Sequence, residues 1–176
     1  FLALFEPSGK VQGPKFREAL KSLKLARIRN DLYTSEYILK TDQPKGDFNS
    51  LYKSYNLDDP TLSFNLSHLS FQIEQECIFP DATNWIEKKP IKDITRWGNH
   101  DGQSFANCLS LISRITTIIN SPPFNTLFHP TPKNISLIEK IKGFSSSTDP
   151  SHKLLRIDLS GIPFEYKARE IIANCI

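Results

Sequence analysis

The chain contains no methionine and only three cysteines. It also has no apolar run near the roughly 20 residues that a membrane-spanning helix needs. Cys77, Cys108 and Cys175 are widely spaced and form no CxxC or Cys/His ligand pattern. That spacing excludes a small disulfide-stapled or zinc-stapled scaffold and suits a reducing, cytoplasmic compartment, where the thiols act as small buried hydrophobes. The first residues lack the basic flank of a signal peptide, so the sequons at Asn65 and Asn134 are read as coincidental. Charge of neither sign dominates: 22 basic against 19 acidic residues leave +3, too little to mark the whole chain as a polyanion or membrane-surface binder.

Motifs for chemistry are missing as well. Ser8-Gly9-Lys10 has the end of a phosphate loop, but the upstream glycine of GxxxxGKS/T is absent and Val11 stands where the magnesium-binding hydroxyl belongs. His68, His100, His129 and His152 are isolated, without the HxxxH or HExxH spacing that turns two imidazoles toward one metal. There is no GxSxG elbow either, which removes the usual signature of a self-contained serine hydrolase.

What is present is a core's worth of apolar residues, 39% of the chain, arranged mostly at helical spacing. Phe1 to Phe5 read as the tail of a helix, broken by Pro7-Ser8-Gly9. Phe16, Ala19, Leu20, Leu23 and Ala26 then predict a second helix from near Pro14 to Asn30-Asp31. Between 31 and 101 prolines and glycines interrupt every pattern, and short helices are expected near 48–55 and 66–77, joined by loops. Residues 103–120 carry apolar groups on more than one stripe and predict a long buried helix, stopped by Ser121-Pro122-Pro123 and followed by a shorter one near 134–142. After the polar loop 143–151 the period changes: Leu155, Ile157 and Leu159 alternate with Arg156, Asp158 and Ser160 as in a strand. Gly161-Ile162-Pro163 turns that strand into a terminal helix with Ala168, Ile171, Ile172 and Cys175 on its packing stripe. The apolar, uncapped ends predict helices that continue past both termini.

Between Lys10 and Arg29 stand seven basic residues and one acid, Glu18. Arg17, Lys21 and Lys24 share a helical face, either simply solvated or a contact for DNA phosphates, a partner or an adjacent subunit. Arg114 and Arg169 lie beside apolar stripes, where a guanidinium could reach a phosphate across a subunit boundary or lie along the surface. Asp158 closes an apolar strand like a magnesium-binding acid, but Leu159 occupies the place of a following catalytic glutamate, so it reads as a strand-end residue bonded to the next turn.

Three blocks resemble one family. LLRIDLSGIPFEYKAREIIANCI (154–176) resembles the strand-turn-helix before the Walker-B strand of HerA-like ATPases, which belong to the RecA-like class. EPSGKVQGPKFREALKSLKLARI (6–28) is similar to the helical segment after that family's phosphate-binding half, and LSLISRITTIINSPPFNTLF (109–128) to a helix of its insert. The resemblance implies an α/β RecA-like domain of which this piece is the predominantly α-helical part. Residues 1–150 would be the helical insert, and 151–176 a core strand-turn-helix. It further implies a homo-hexameric, ATP- and Mg2+-dependent translocase of duplex DNA, working with a nuclease or an NAD-consuming defence effector. The nucleotide motifs would lie outside this chain, with Asp158 and Arg169 at a subunit interface or nucleotide edge. Without that resemblance the same residues read as a noncatalytic helical module that docks a protein.

Overall fold

A computed structural model describes residues 2–121, 124, 137–147, 154, 156–158, 160, 169, 170 and 173. The secondary structure is mostly helical: α1 (Leu2–Phe5), α2 (Gly9–Ile28), α3 (Phe48–Ser54), α4 (Leu69–Glu76), α5 (Gly102–Asn120) and α6 (Leu137–Ser146), with an antiparallel hairpin of β1 (Ala82–Ile86) and β2 (Lys89–Asp93) between α4 and α5. Two compact units form, one from Phe5–Thr117 and one from Phe1–Leu4 with Ile118–Ile176. The expected boundary at 150/151 lies inside the second. No helix among the described residues is long and apolar enough to cross a membrane.

In the Phe5–Thr117 unit the apolar stripe of α2 does what its spacing predicts. Phe16, Ala19, Leu23 and Ala26 are buried, and Phe5 packs on Phe16 with ring centroids 6.0 Å apart. Helix α2 starts earlier than the stripe, at Gly9, and runs through Pro14, which lies inside the helix and cannot donate to the carbonyl of Lys10. Helix α4 packs on α2, and Lys15 Nζ donates to the Glu76 carbonyl at the end of α4, where a cation meets unpaired helix acceptors. The long helix α5 buries Cys108, Leu111 and Ile115. Its first turn is capped by Asp101, whose Oδ1 accepts from the backbone N–H groups of Gln103 (3.1 Å) and Ser104 (3.3 Å) and whose other oxygen accepts from the Ser104 hydroxyl.

The Ser104 hydrogen bonds hold the Asp101 carboxyl below its ordinary range. A depressed folded-state value contributes stability above the unfolded carboxylate pKa, and that stability is lost as pH falls through the folded value. Asp101→Ala should therefore lower the urea midpoint at neutral pH and flatten its decline in acid. A wild-type acid limb in Asp101→Ala would contradict the cap.

The segment 31–101 departs from the expected loops and short helices. Helices α3 and α4 fall where the pattern places them, but residues 77–101 form an extended ribbon. At its base, Ala82 N donates to Arg96 O (3.1 Å), Gly98 N to Phe79 O (2.9 Å) and Phe79 N to Asn99 O (3.1 Å). On the other side of residues 95–98 run residues 42–45, with Trp97 N donating to Gln43 O (3.0 Å), Lys45 N to Thr95 O (2.9 Å) and Asp42 N to Gly98 O (3.2 Å). Gly98 is the crossing point: a Cβ there would lie 2.7 Å from both Asp81 O and Phe79 Cβ. A cluster of Leu25, Ile38, Phe48, Leu57, Ile78 and Trp97 fills the space between α2, α3 and this base.

In the second unit Leu4, Ile118, Ile119 and Phe124 are buried, and α6 covers Leu137–Ser146; residues 134–136, where the helix was expected to begin, lie outside the described residues. The strand expected at 154–160 is not formed at the residues described there: Leu154, Arg156, Ile157 and Asp158 are irregular. A strand needs a neighbour to satisfy its ladder, and among the described residues only β1 and β2 pair as strands. Leu155 and Leu159 lie outside the described residues, as does most of the terminal helix, of which Arg169, Glu170 and Ala173 are helical.

Candidate functional site

The basic face of α2 is divided in use. Arg17 is exposed and makes no ion pair among the described residues. Lys21 Nζ sits 3.2 Å from Asp58 Oδ1. Lys24 is buried and donates to the carbonyls of Leu57 (3.0 Å) and Asp59 (2.8 Å). Lys21 and Lys24 therefore fasten the turn after α3 onto α2. Of the expected phosphate contacts, Arg17 alone is left fully open, because periodicity cannot show that a carbonyl-rich turn will settle on two of the three lysine-arginine positions. Arg114 has a similar task, donating to Phe5 O (2.9 Å) and Glu6 O (3.0 Å) at the end of α1.

Asp158 and Arg169 meet at one residue. Asp158 Oδ1 accepts from Ser160 N at 2.8 Å, and Arg169 donates to Ser160 O at 2.9 Å. The backbone N–H of Ser160 holds the Asp158 carboxyl below its usual range, so it is an anion that shapes its own turn.

The Ser8-Gly9-Lys10 turn does not fit a nucleotide phosphate. Gln12 Oε1 accepts from Ser8 N at 2.9 Å, while Gln12 Nε2 donates to Asn107 O (2.8 Å) and Ser110 Oγ (3.0 Å). The Ser8 amide that would face a phosphate oxygen is already satisfied by a side chain that also ties α2 to α5. No group of three or more His, Cys, Asp or Glu suited to a metal occurs among the described residues. His68 stacks edge-on with Tyr37 and His100 with Phe105; His129 and His152 lie outside the described residues.

The polar centre of the Phe5–Thr117 unit went unnoticed in the sequence. Glu76, on α4, accepts from Lys40 Nζ (2.7 Å) at one oxygen and from Ser22 Oγ (2.7 Å) and Gln72 Nε2 (3.1 Å) at the other. The Lys40 and Glu76 side chains are 5% and 7% exposed. The Lys40 ammonium also lies 4.5 Å above the Phe48 ring centroid and 5.4 Å from that of Trp97. Gln72 exchanges hydrogen bonds with the backbone of Ile38, and Gln75 Oε1 accepts from Lys40 N. Among the described residues no buried side-chain nitrogen or oxygen lacks a partner, so this centre is a fully hydrogen-bonded network that braces the unit.

Cys77 and Cys108 are buried beside one another as free thiols, as the sequence suggested. Burial, with Cys108 adjacent, pushes the Cys77 thiol up to about 12. A thiol kept protonated and covered should resist alkylation. Iodoacetamide is expected to leave both unmodified in the native chain and to label both after unfolding in guanidinium; rapid native labelling of Cys77 would contradict this burial.

The outward-facing feature is the hairpin. Glu87 (φ 49°) and Lys88 (φ 64°) form its two-residue turn, with the positive φ at both positions that suits strand twist. Cross-strand pairs are Thr83–Lys92 and Trp85–Pro90 on one face, and Ala82–Asp93, Asn84–Ile91 and Ile86–Lys89 on the other. Trp85 is 70% exposed, and Ile86 and Ile91 are also open. Among the described residues Lys88, Lys89 and Lys92 form no ion pair. The sequence signal for this ribbon was weak, because Glu-Lys replaces the usual Asn-Gly turn and Pro90 sits inside a strand.

No family model, curated protein or solved structure matches this chain.

Proposed function

We propose that the chain is a noncatalytic helical part of a HerA-like, ring-forming ATPase that translocates duplex DNA. The observation that carries this reading is the block LLRIDLSGIPFEYKAREIIANCI at 154–176, preceded in order by the blocks at 6–28 and 109–128. A mostly helical chain with a braced core and no free catalytic cluster among the described residues supports a role beside the nucleotide site. ATP and Mg2+ would be handled by other residues of the ATPase, since the Ser8 amide and hydroxyl already donate to Gln12 and the sequence here lacks the full phosphate-loop pattern. Arg17 is the residue of the α2 face available to DNA or a partner. Asp158 and Arg169, joined through Ser160, would stand at a subunit boundary. A nuclease or other defence effector would engage the assembled ring.

Native mass spectrometry of the protein that carries this chain, with ATP, Mg2+ and duplex DNA, tests the reading. A hexamer is expected. A monomer that binds a protein partner without ATP would favour the docking-module alternative and contradict the translocase.

A further inference from the structure

We propose that the β1–β2 hairpin is a nucleic-acid contact that takes a strand with unpaired bases, Trp85 stacking on a base while Lys88, Lys89 and Lys92 meet phosphates. The proposal rests on the translocase reading for the presence of DNA and adds which surface touches it, and what form of it.

Three observations carry it. First, a ribbon of two strands exposed on both faces covers none of the unit's core with its outer residues, so folding does not account for a 70% exposed tryptophan at its tip. Second, the pairing places Trp85 directly across from Pro90, two rigid flat groups side by side, with Thr83 and Lys92 on the same face. That is a platform with one polar and one cationic neighbour, matching a base attached to its phosphate. Third, the local charge selects a polyanion. Among the described residues Lys88, Lys89 and Lys92 make no ion pair and outnumber the ribbon carboxylates Glu87 and Asp93, while Asp81 pairs with Lys45. An acidic protein would satisfy the lysines but gives no reason for the Trp85–Pro90 platform.

Unpaired bases are favoured over an intact duplex because stacking needs an open base face, which a duplex hides. Stacking plus a few cations is the recurrent means of holding single strands without sequence preference.

The test is titration of the 176-residue chain with oligo(dT), read by tryptophan fluorescence. The chain has two tryptophans, and Trp97 is only 8% exposed, so quenching reports Trp85. Saturable quenching is expected. By anisotropy of labelled oligo(dT), Trp85→Ala should weaken binding roughly 5- to 150-fold with an unchanged salt slope. Combined Lys88→Gln, Lys89→Gln and Lys92→Gln should reduce the slope of log affinity on log salt by about 2. These side chains are solvent-facing, and an unchanged melting temperature would confirm that neither variant acts through folding.

Absence of quenching overturns the proposal, as does quenching by phosphatidylserine vesicles without any by oligo(dT), which would make the tip a membrane contact. Affinity for oligo(dT) that survives both variants removes the hairpin assignment while leaving the translocase reading, judged by hexamer formation, intact.

Discussion

Glu76→Ala is expected to cost about 3–5 kcal/mol of folding stability. The substitution leaves the Lys40 ammonium buried without its counter-ion, 2.7 Å from where the carboxylate stood, and also strips Ser22 of its acceptor and Gln72 of one of its two. Removing one member of a buried pair is costly because the other keeps its desolvation penalty. Lys40→Met alone should be milder, since a thioether chain can lie over Phe48 and Trp97, although Glu76 then loses its cation. The double variant Lys40→Met with Glu76→Ala should lose less than the sum of the two single losses, leaving the Ser22 hydroxyl and one Gln72 N–H without their acceptor as the remainder. Urea denaturation of the four proteins gives the coupling directly. Additive losses would mean that Lys40 and Glu76 do not depend on one another and that the brace is incidental.

Gly98→Ala should destabilise by about 3 kcal/mol, the upper end of what overpacking usually costs. The added methyl would meet Asp81 O and Phe79 Cβ at 2.7 Å and Phe79 O at 2.9 Å. Two of these three neighbours are backbone, so no side-chain rotation relieves them. Residues 42–45 bond along the opposite side of Gly98, which blocks retreat in that direction. Because the hairpin is anchored through this crossing, its amides should lose hydrogen-exchange protection along with the base. Protection and midpoint at wild-type values in Gly98→Ala would contradict the close approach of the three segments.

These two positions also show where the sequence was readable. Helices α2 and α5 stood out because Phe16, Ala19, Leu23 and Ala26, and then Cys108, Leu111 and Ile115, repeat at helical spacing over many residues, a signal that local breaks cannot erase. Helices α3 and α4 were legible from the prolines and turn residues that bound them. The ribbon was not, because β1 (ATNWI) and β2 (KPIKD) carry apolar and polar residues on both faces and bury neither, leaving no inside-outside pattern to read. The charged residues divided along the same line. Arg17 stayed on the surface as its helical position suggests. Lys24, Lys40 and Glu76 went inside, because each meets partners far along the chain: Lys24 at Leu57 and Asp59, Lys40 and Glu76 at one another. A helical wheel contains no such information. Asp158 accepts from Ser160 N in the following turn, whereas the described residues Leu154, Arg156, Ile157 and Asp158 are irregular where a strand was expected.

The functional proposals therefore rest on two different footings. The translocase reading comes from the ordered sequence blocks, most of all Leu154 to Ile176. The nucleic-acid surface comes from the geometry of Trp85, Pro90 and the three lysines. Both make the chain a contact element serving chemistry performed elsewhere.

The most direct measurement is ATP hydrolysis by the protein that carries this chain, followed with Mg2+ in the presence and absence of duplex DNA. A DNA-stimulated rate, reduced by Arg17→Ala without loss of folding, is expected. A rate indifferent to DNA, or no hydrolysis by a folded hexamer, would contradict the assignment to a DNA-translocating ATPase.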